Sequence, residues 1–339
     1  MLALRPVALS DLPQLQQLAR ESLVGVTSLP DDSERLRQKL LGSLASFARE
    51  VQNNEGPENY FFVLEDLASQ RLVGCSEILA TAGFNEPFYS LRNLPFTSES
   101  RELHIHHGVP ALSLCQDLSA HTLLRGFHID AALERTPTSQ LLSRARLMFI
   151  AAHPQRFSDA VITEIVGYSD EAGESPFWNA LGKHFLDLSY AEAERLCGLK
   201  DRTFLAELMP HYPIYVPMLP ASAQACIGRI HPAGQEAFDI LEREGFETNS
   251  YIDLFDAGPT LFARTPSIRS IAQSRTTVVR EGEHHDGNTP YLLSNDALQH
   301  YRAIVVNLDW SADEPAVLNA AMLSALQVRE GDAIRLVAL

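Results

Sequence analysis

Apolar positions recur with two periods along the chain, and the points where the period changes mark its elements. Residues 2–8, LALRPVA, read as an extended run. From Ser10, a residue type that caps helices, Leu12, Leu15, Leu18 and Ala19 return every three to four positions, which predicts a helix to Arg20. A second amphipathic helix fits Asp31 to Glu50. NYFFVLED and RLVGCSEILATA, joined by LASQ, are rich in β-branched and aromatic residues and read as strands, as do ELHIHH and the run ending GFHID. A helix follows over roughly 139–152, then the strand VITEIVGYS. SPFWNALGKHFLDL reads as a helix capped by Ser175 with Pro176 at its first position, where the missing N–H costs nothing. AEAERLCGL is a helix ended by Gly198. HPAGQEAFDILEREGF is another, closed by Gly245 and followed by the strand NSYIDLFD.

This order predicts a mixed α/β (α+β) fold with a strand meander and then a strand–helix–strand unit. The tail changes character. TLFAR, TTVVR, RAIVVNLDW and AIRLVAL are short strands separated by breaks such as EGEHHDGNTP. The expected division is 1–255 for the α/β part and 256–339 for a smaller β-rich unit packed on it.

Bulk properties narrow the function. The 339 residues are 45% hydrophobic and 21% charged, as in soluble globular chains, and no apolar run approaches the ~20 residues that span a bilayer. The net charge of −16 argues against nucleic acid and anionic membranes and suits a cationic small substrate. The four cysteines (Cys75, Cys115, Cys197, Cys226) form no C-x-x-C and read as thiols of a reducing cytoplasm, not a metal site.

The candidate chemistry is spread along the chain. In GFHIDAALERTPTSQLLSRARLMF a strand leads through a polar loop into a helix, the layout of a phosphate cradle. The loop has no glycine, and Pro137 has no N–H to give. Either Thr136, Thr138 and Ser139 rebuild the cradle with hydroxyls, or it is empty. His231 precedes Pro232 and so reads as a helix cap. There the positive helix end favours the neutral imidazole, which suits a proton shuttle as well as a plain cap. Asp253 and Asp256 in YIDLFDAGP fall at a strand exit, where carboxylates either receive a cation or make the turn. Gly25, Thr27 and Ser28 join the first two helices. His104 and His106, on one strand face, and the loop pair His284 and His285 lack the companions of a metal set. ELMPHYPIYVPMLP is too proline-rich for a helix or a central strand and reads as a binding wall or a packing segment. No Walker loop, G-x-G-x-x-G or G-x-S-x-G occurs.

Taken together, RPVALSDLPQLQQLA, GVTSLP, FVLED, FNEPFY, GESPFWNALGKHF, FLAELMPHYPIY, IGRIHPAGQEAFDILEREGF and YIDLFDAGPT resemble the blocks of the arginine N-succinyltransferase family, acyltransferases of the GNAT superfamily. Within it they are most similar to the alpha subunits of the two-subunit arginine/ornithine enzymes. The resemblance implies a GNAT-like, mostly antiparallel sheet flanked by helices. It also implies transfer of succinyl from succinyl-CoA to L-arginine, with L-ornithine a second substrate. It assigns the proton donor to His231 and a succinyl-CoA contact to Phe127, counted without gaps from Pro110. Thr138 and Ser139 are the candidate CoA contacts in the loop, and Asp253, Asp256 and Glu207 the candidates for the guanidinium. A homologous beta subunit is the implied partner. Single-chain relatives carry glycine in the loop where ERTPTSQ stands here, so a second expectation is an accessory subunit working only beside a catalytic one.

Overall fold

The computed structural model describes residues 1–21, 29–50, 56–85, 87–100, 102, 104–199, 207–283, 287–312 and 314–339. Gly25, Thr27, Ser28, His284 and His285 lie outside them. The strands are β1 (Leu2–Pro6), β2 (Asn59–Asp66), β3 (Arg71–Leu79), β4 (Ser90–Ser100), β5 (Ile105–Cys115), β6 (Thr122–Ile129), β7 (Ala160–Glu164), β8 (Ile214–Tyr215), β9 (Glu247–Ile252), β10 (Pro259–Arg264), β11 (Arg275–Glu281), β12 (Thr289–Asn295), β13 (Ala303–Leu308), β14 (Ala316–Leu318) and β15 (Ala333–Ala338). They join in the order β14-β11-β15-β12-β13-β1-β2-β3-β6-β7-β10-β9-β4-β5-β8. Among the described residues the pairing is antiparallel except for β6 with β7 and β11 with β14. The mixed α/β, mostly antiparallel architecture expected from the sequence is the one observed.

Strand alternation distributes the core to both faces of the sheet. Phe61, Val63 and Cys75 meet Leu15, Leu36 and Leu40 of the helices α1 (Leu12–Glu21) and α2 (Ser33–Ala48). Phe62, Leu64 and Leu124 meet Leu142 and Phe149 of α3 (Pro137–Ala152) on the opposite face. Phe149 packs edge-on against Phe62 and Tyr301, with ring centroids 5.2 and 5.0 Å away. Past residue 270, β11 to β15 and the helix Ala320–Leu326 share a core of Val279, Leu293, Ile304, Leu323 and Leu336. β13 continues the sheet by pairing with β1 at Leu4↔Ala303.

Several elements differ from the sequence reading. α3 starts at Pro137, with Thr136 capping the N–H of Thr138 (3.2 Å), so the proline opens the helix instead of interrupting a loop. The SPFWNALGKHFLDL helix begins as expected, with Ser175 Oγ accepting from Trp178 N, but breaks at Leu181 into 176–180 and 182–186. TLFAR is β10 and lies between β7 and β9. β4 was not foreseen, because most of it is exposed and leaves no buried face to read. β12 and the helix Ala320–Leu326 were also not foreseen. The ELHIHH strand begins only at Ile105, and His104 stands in the turn before it with φ +49°.

The centre of the sheet is where the functional cleft arises. β6 pairs with β7 over Thr122↔Val161 and Leu123↔Ile162, and the pairing goes no further. Toward β3, Cys75 faces His128 and Glu77 faces Arg125, so Gly126 and Phe127 together stand opposite Ser76. β6 therefore carries a one-residue bulge, and Gly126 takes the left-handed conformation (φ +67°) that allows it. The bulge lies three residues beyond Leu123, the last residue of β6 that pairs with β7.

A buried ion pair ties α3 to the rest of the fold. Arg144 Nε lies 2.7 Å from Glu244, and both side chains are 1% exposed. Glu244 also accepts from Ser270 N (2.6 Å), and Arg144 Nη2 donates to Ala338 O (3.0 Å). Glu244→Gln strands a buried guanidinium and is expected to lower unfolding stability by about 3–5 kcal/mol in a denaturant titration; a loss below about 1 kcal/mol contradicts the pair's structural role. Gly126→Ala forces a side chain into the left-handed region and is expected to cost about 1–2 kcal/mol in the same titration. Unaltered stability there means that the bulge relaxes to a regular strand.

Candidate active site

The parted strands open a cleft of about 900 Å³. Its lining includes β6 from Leu123 to Ile129, β7 and its continuation from Thr163 to Val166, the segment Ala233–Gly234, and Asp253 and Asp256. Three groups of side chains set its character.

Beneath β6 lies a buried charged cluster. Glu77 is fully buried, 2.7 Å from Lys39 Nζ and 2.9 Å from Arg125 Nε. Burial alone would raise its pKa, but the two cations hold it below the usual carboxylate range. Arg146, on α3, is also buried and lines the cleft. It reaches the carbonyls of Arg125 (3.3 Å) and Glu77 (3.5 Å), the pair flanking the bulge, and so fills the gap in the ladder. Burial pushes its pKa down to about 10, and pushes the Cys75 thiol up to about 12. Neither Arg146 nor Glu77 was singled out in the sequence. A charged residue on the apolar face of RARLMF was the available signal.

Opposite β6, the segment carrying His231 is fastened to the exit of β7. Gly167 and Ile230 form a bridge, His231 N–H donates to Val166 O (2.9 Å), and Arg229 stacks 3.6 Å from the Tyr168 ring centroid. His231 caps the turn before the helix Gln235–Arg243, its Nδ1 accepting from Ala233 N–H at 3.2 Å. That bond assigns the ring proton to Nε2. The ring is half-buried, and desolvation lowers its pKa. Val166, Ala233 and Gly234 line the cleft, and His231 adjoins them without lining it.

Asp256 fixes the floor. Its two carboxylate oxygens accept from Gly167 N (2.7 Å) and Gly258 N (2.8 Å). No side chain fits at either glycine: a Cβ on Gly167 would come within 2.4 Å of Asp256 Oδ1, and one on Gly258 within 2.1 Å of Ile165 O. Burial, then the Asp253 carboxylate, raise Asp256 well above the usual carboxylate range against the pull of its two N–H donors. Asp253 Oδ1 accepts from Phe255 N (2.6 Å) and Asp256 N (3.2 Å). The turn chemistry read in YIDLFDAGP is therefore present, and both side chains also line the cleft.

The other expected positions separate. Phe127 lies in the bulge, half-buried and lining the cleft. Ser139 is fully buried, its hydroxyl within hydrogen-bond distance of Thr136 O (2.8 Å) and Glu236 Oε1 (2.5 Å), with one proton to share between them. Thr138 is half-buried beside it. Glu207 is exposed and outside the cleft lining. Glu236, missed in the sequence because nothing local links it to a loop 97 positions earlier, lines the cleft and also accepts from Arg135 N (3.0 Å). Among the described residues no three His, Cys, Asp or Glu side chains gather as a metal site, and no helix is long and apolar enough to cross a membrane.

The sequence and its fold match those of known proteins. Residues 2–270 match the family described as arginine N-succinyltransferase beta subunit, and residues 274–338 match its C-terminal domain. The chain is 60% identical over 338 residues to the arginine N-succinyltransferase subunit alpha of Pseudomonas aeruginosa, covering 100% of each. It is 38% identical over 340 residues to an Escherichia coli arginine N-succinyltransferase, covering 100% of this chain and 98% of that one. Its fold superposes on the solved arginine/ornithine succinyltransferase subunit AI of P. aeruginosa with a TM-score of 0.94 at 57% identity, over 100% of this chain and 98% of the other. From the first strand to the last, this chain belongs to the arginine N-succinyltransferase family.

Proposed function

We propose that the chain is an arginine N-succinyltransferase, which moves the succinyl group of succinyl-CoA onto the α-amine of L-arginine and releases CoA. The observation that carries this reading is 60% identity along the full length to an arginine N-succinyltransferase subunit alpha. L-Ornithine is the proposed second substrate, in keeping with the arginine/ornithine relative. That relative's designation as a subunit also supports a homologous beta subunit as partner. A cytoplasmic setting suits four cysteines none of which is in a disulfide.

The chemistry follows from the cleft. An uncharged α-amine attacks the thioester carbonyl, a C–N bond forms, and the carbonyl oxygen becomes an oxyanion. The reading assigns that oxyanion to backbone N–H groups of the bulge around Phe127, where β6 has left its ladder. The C–S bond then breaks and the CoA sulfur takes a proton. His231 is the proposed donor, as the imidazolium, which is left neutral by the transfer; the proton shed by the amine as it becomes an amide restores it. Asp253 and Asp256 are the proposed guanidinium acceptors, lining the cleft with Glu164. At the start of α3, Thr138 is the proposed CoA contact, whereas Ser139, fully buried against Thr136 O and Glu236, is closed to it. Glu207, exposed and apart from the lining, has no role in this reading.

The test is release of free CoA thiol from succinyl-CoA and L-arginine, with the purified chain alone and mixed with a homologous partner. Absence of arginine-dependent thiol release in both cases rejects the function. His231→Ala is expected to reduce turnover by ~10²–10⁴-fold; near-normal turnover moves the proton donor elsewhere. Burial lowers the His231 pKa, so the neutral ring persists to lower pH than an ordinary histidine. Loss of the protonated donor should therefore show as a fall in kcat/KM with rising pH, its midpoint below 6.5. A midpoint above that value contradicts the assignment.

A further inference from the structure

Arg146 is a cation buried without a counter-ion. Its side chain is 2% exposed, and among the described residues it forms no ion pair. Glu77 is not free to answer it, because its oxygens already accept from Lys39 (2.7 Å) and Arg125 (2.9 and 3.1 Å). Every bond of the guanidinium goes to an uncharged oxygen. Nε donates to Ser143 O (3.1 Å) and Nη2 to Ser143 Oγ (3.3 Å), while Nη1 reaches Arg125 O (3.3 Å) and Glu77 O (3.5 Å). Burying an unpaired charge is costly, and a neutral donor could satisfy the same carbonyls. Burial lowers the pKa only to about 10, so the charge is present at neutral pH. The hydrogen bonds therefore account for a donor at this position but not for a charged one.

The carbonyl of Arg125 belongs to the peptide that leads into Gly126, the first residue of the bulge. None of the described peptides is cis, and a trans peptide points its N–H opposite to its carbonyl. With Arg125 O turned to Arg146, the Gly126 N–H points away from it, on a residue that lines the cleft. A cation on an amide oxygen draws electron density from the nitrogen and strengthens the N–H as a donor. The guanidinium acts here through a buried, low-dielectric region, where its field is little screened.

We propose that Arg146 is a positioning residue for acyl transfer: its buried charge holds and polarises the peptide of the β6 bulge, so that the bulge N–H donors stabilise negative charge on the thioester oxygen. That role rests on the reading of the cleft as a succinyl-CoA site. Arg146 acts through the backbone of Arg125 and Gly126, not by touching the acyl group. As the amine attacks, the carbonyl π pair moves onto oxygen. Donors already fixed and polarised from behind meet that charge without reorganising.

The experiment compares the full-length wild type with Arg146→Lys and Arg146→Gln. Arg146→Lys keeps the charge at a shorter reach, whereas Arg146→Gln keeps N–H donors for the carbonyls and loses the charge. Succinyl-CoA with an isotopic label on the thioester carbon is bound without arginine, and its carbonyl stretch is read by infrared difference spectroscopy. kcat and KM are then measured with L-arginine. Wild type is expected to move the bound carbonyl to a lower frequency than in solution. Arg146→Gln should lose that shift and at least about 10-fold in kcat, with KM for succinyl-CoA little changed, and Arg146→Lys should keep most of both. No shift in wild type, a shift retained in Arg146→Gln, or a raised KM at unchanged kcat overturns the role. Equal losses in the two variants, failure of both to fold included, also overturn it and leave Arg146 a structural residue. Because the spectrum is read without arginine, it separates from the proposed function. A chain that shows the charge-dependent shift but acylates no arginine keeps the Arg146 role and loses the function. One that acylates arginine, with Arg146→Gln at full kcat, does the reverse.

Discussion

The divergence of β6 from β7 is the constraint on which the site depends. Two parallel strands joined by two residue pairs and then released create an opening in a sheet that is otherwise paired across its width. Backbone donors are obligatory partners in a folded interior, so an opening of this kind needs compensation on every side. The compensation is local and polar. Arg146 takes the carbonyls at the bulge, Asp256 takes the N–H groups of Gly167 and Gly258, and Val166 O takes His231 N–H. The cleft is in this sense a defect in the sheet whose walls are tied to their surroundings at these points.

The ties carry charge, which explains the number of buried ionisable groups near a site built on a hydrophobic core. Glu77 answers Lys39 and Arg125, Glu244 answers Arg144, and Arg146 rests on carbonyl dipoles. Removing one partner of such a set leaves the other uncompensated in low dielectric, so each member is more demanding than an apolar residue of equal size. The same polarity keeps the cleft walls in one arrangement, because charge-assisted bonds have narrow geometries.

Local chemistry was legible in the sequence wherever it was decided locally. Ser175 with Pro176, His231 with Pro232, and Gly245 each predicted a helix end that the structure has. The aromatic and β-branched run in NYFFVLED gave a strand whose two faces serve two cores. What escaped depended on distant partners. Gly126 looked like an ordinary strand glycine until its opposition to Ser76 revealed a bulge. Glu236 and the α3 loop are far apart in sequence, and neither suggests the other. Ser139, read as open to phosphate, is closed by that same carboxylate. β4 was lost because a largely exposed hairpin strand has no hydrophobic face to mark it. The resemblance of scattered blocks to one family supplied what periodicity could not, since it draws on residues brought together only by folding.

The first and last strands have a bearing on how the protein comes into being at the ribosome. β1 lies between β2 and β13, so one edge of the first strand waits for residues near 303 to appear. The carbonyl of Ala338, one residue from the end, accepts from both Arg144 on α3 and Arg269. α3 forms one wall of the cleft's surroundings, yet its buried arginine finds this partner only once residue 338 has been made. Contacts of such long sequence separation form late. The growing chain therefore carries an unfinished scaffold around the site until β15 emerges, and the surroundings of the cleft mature late.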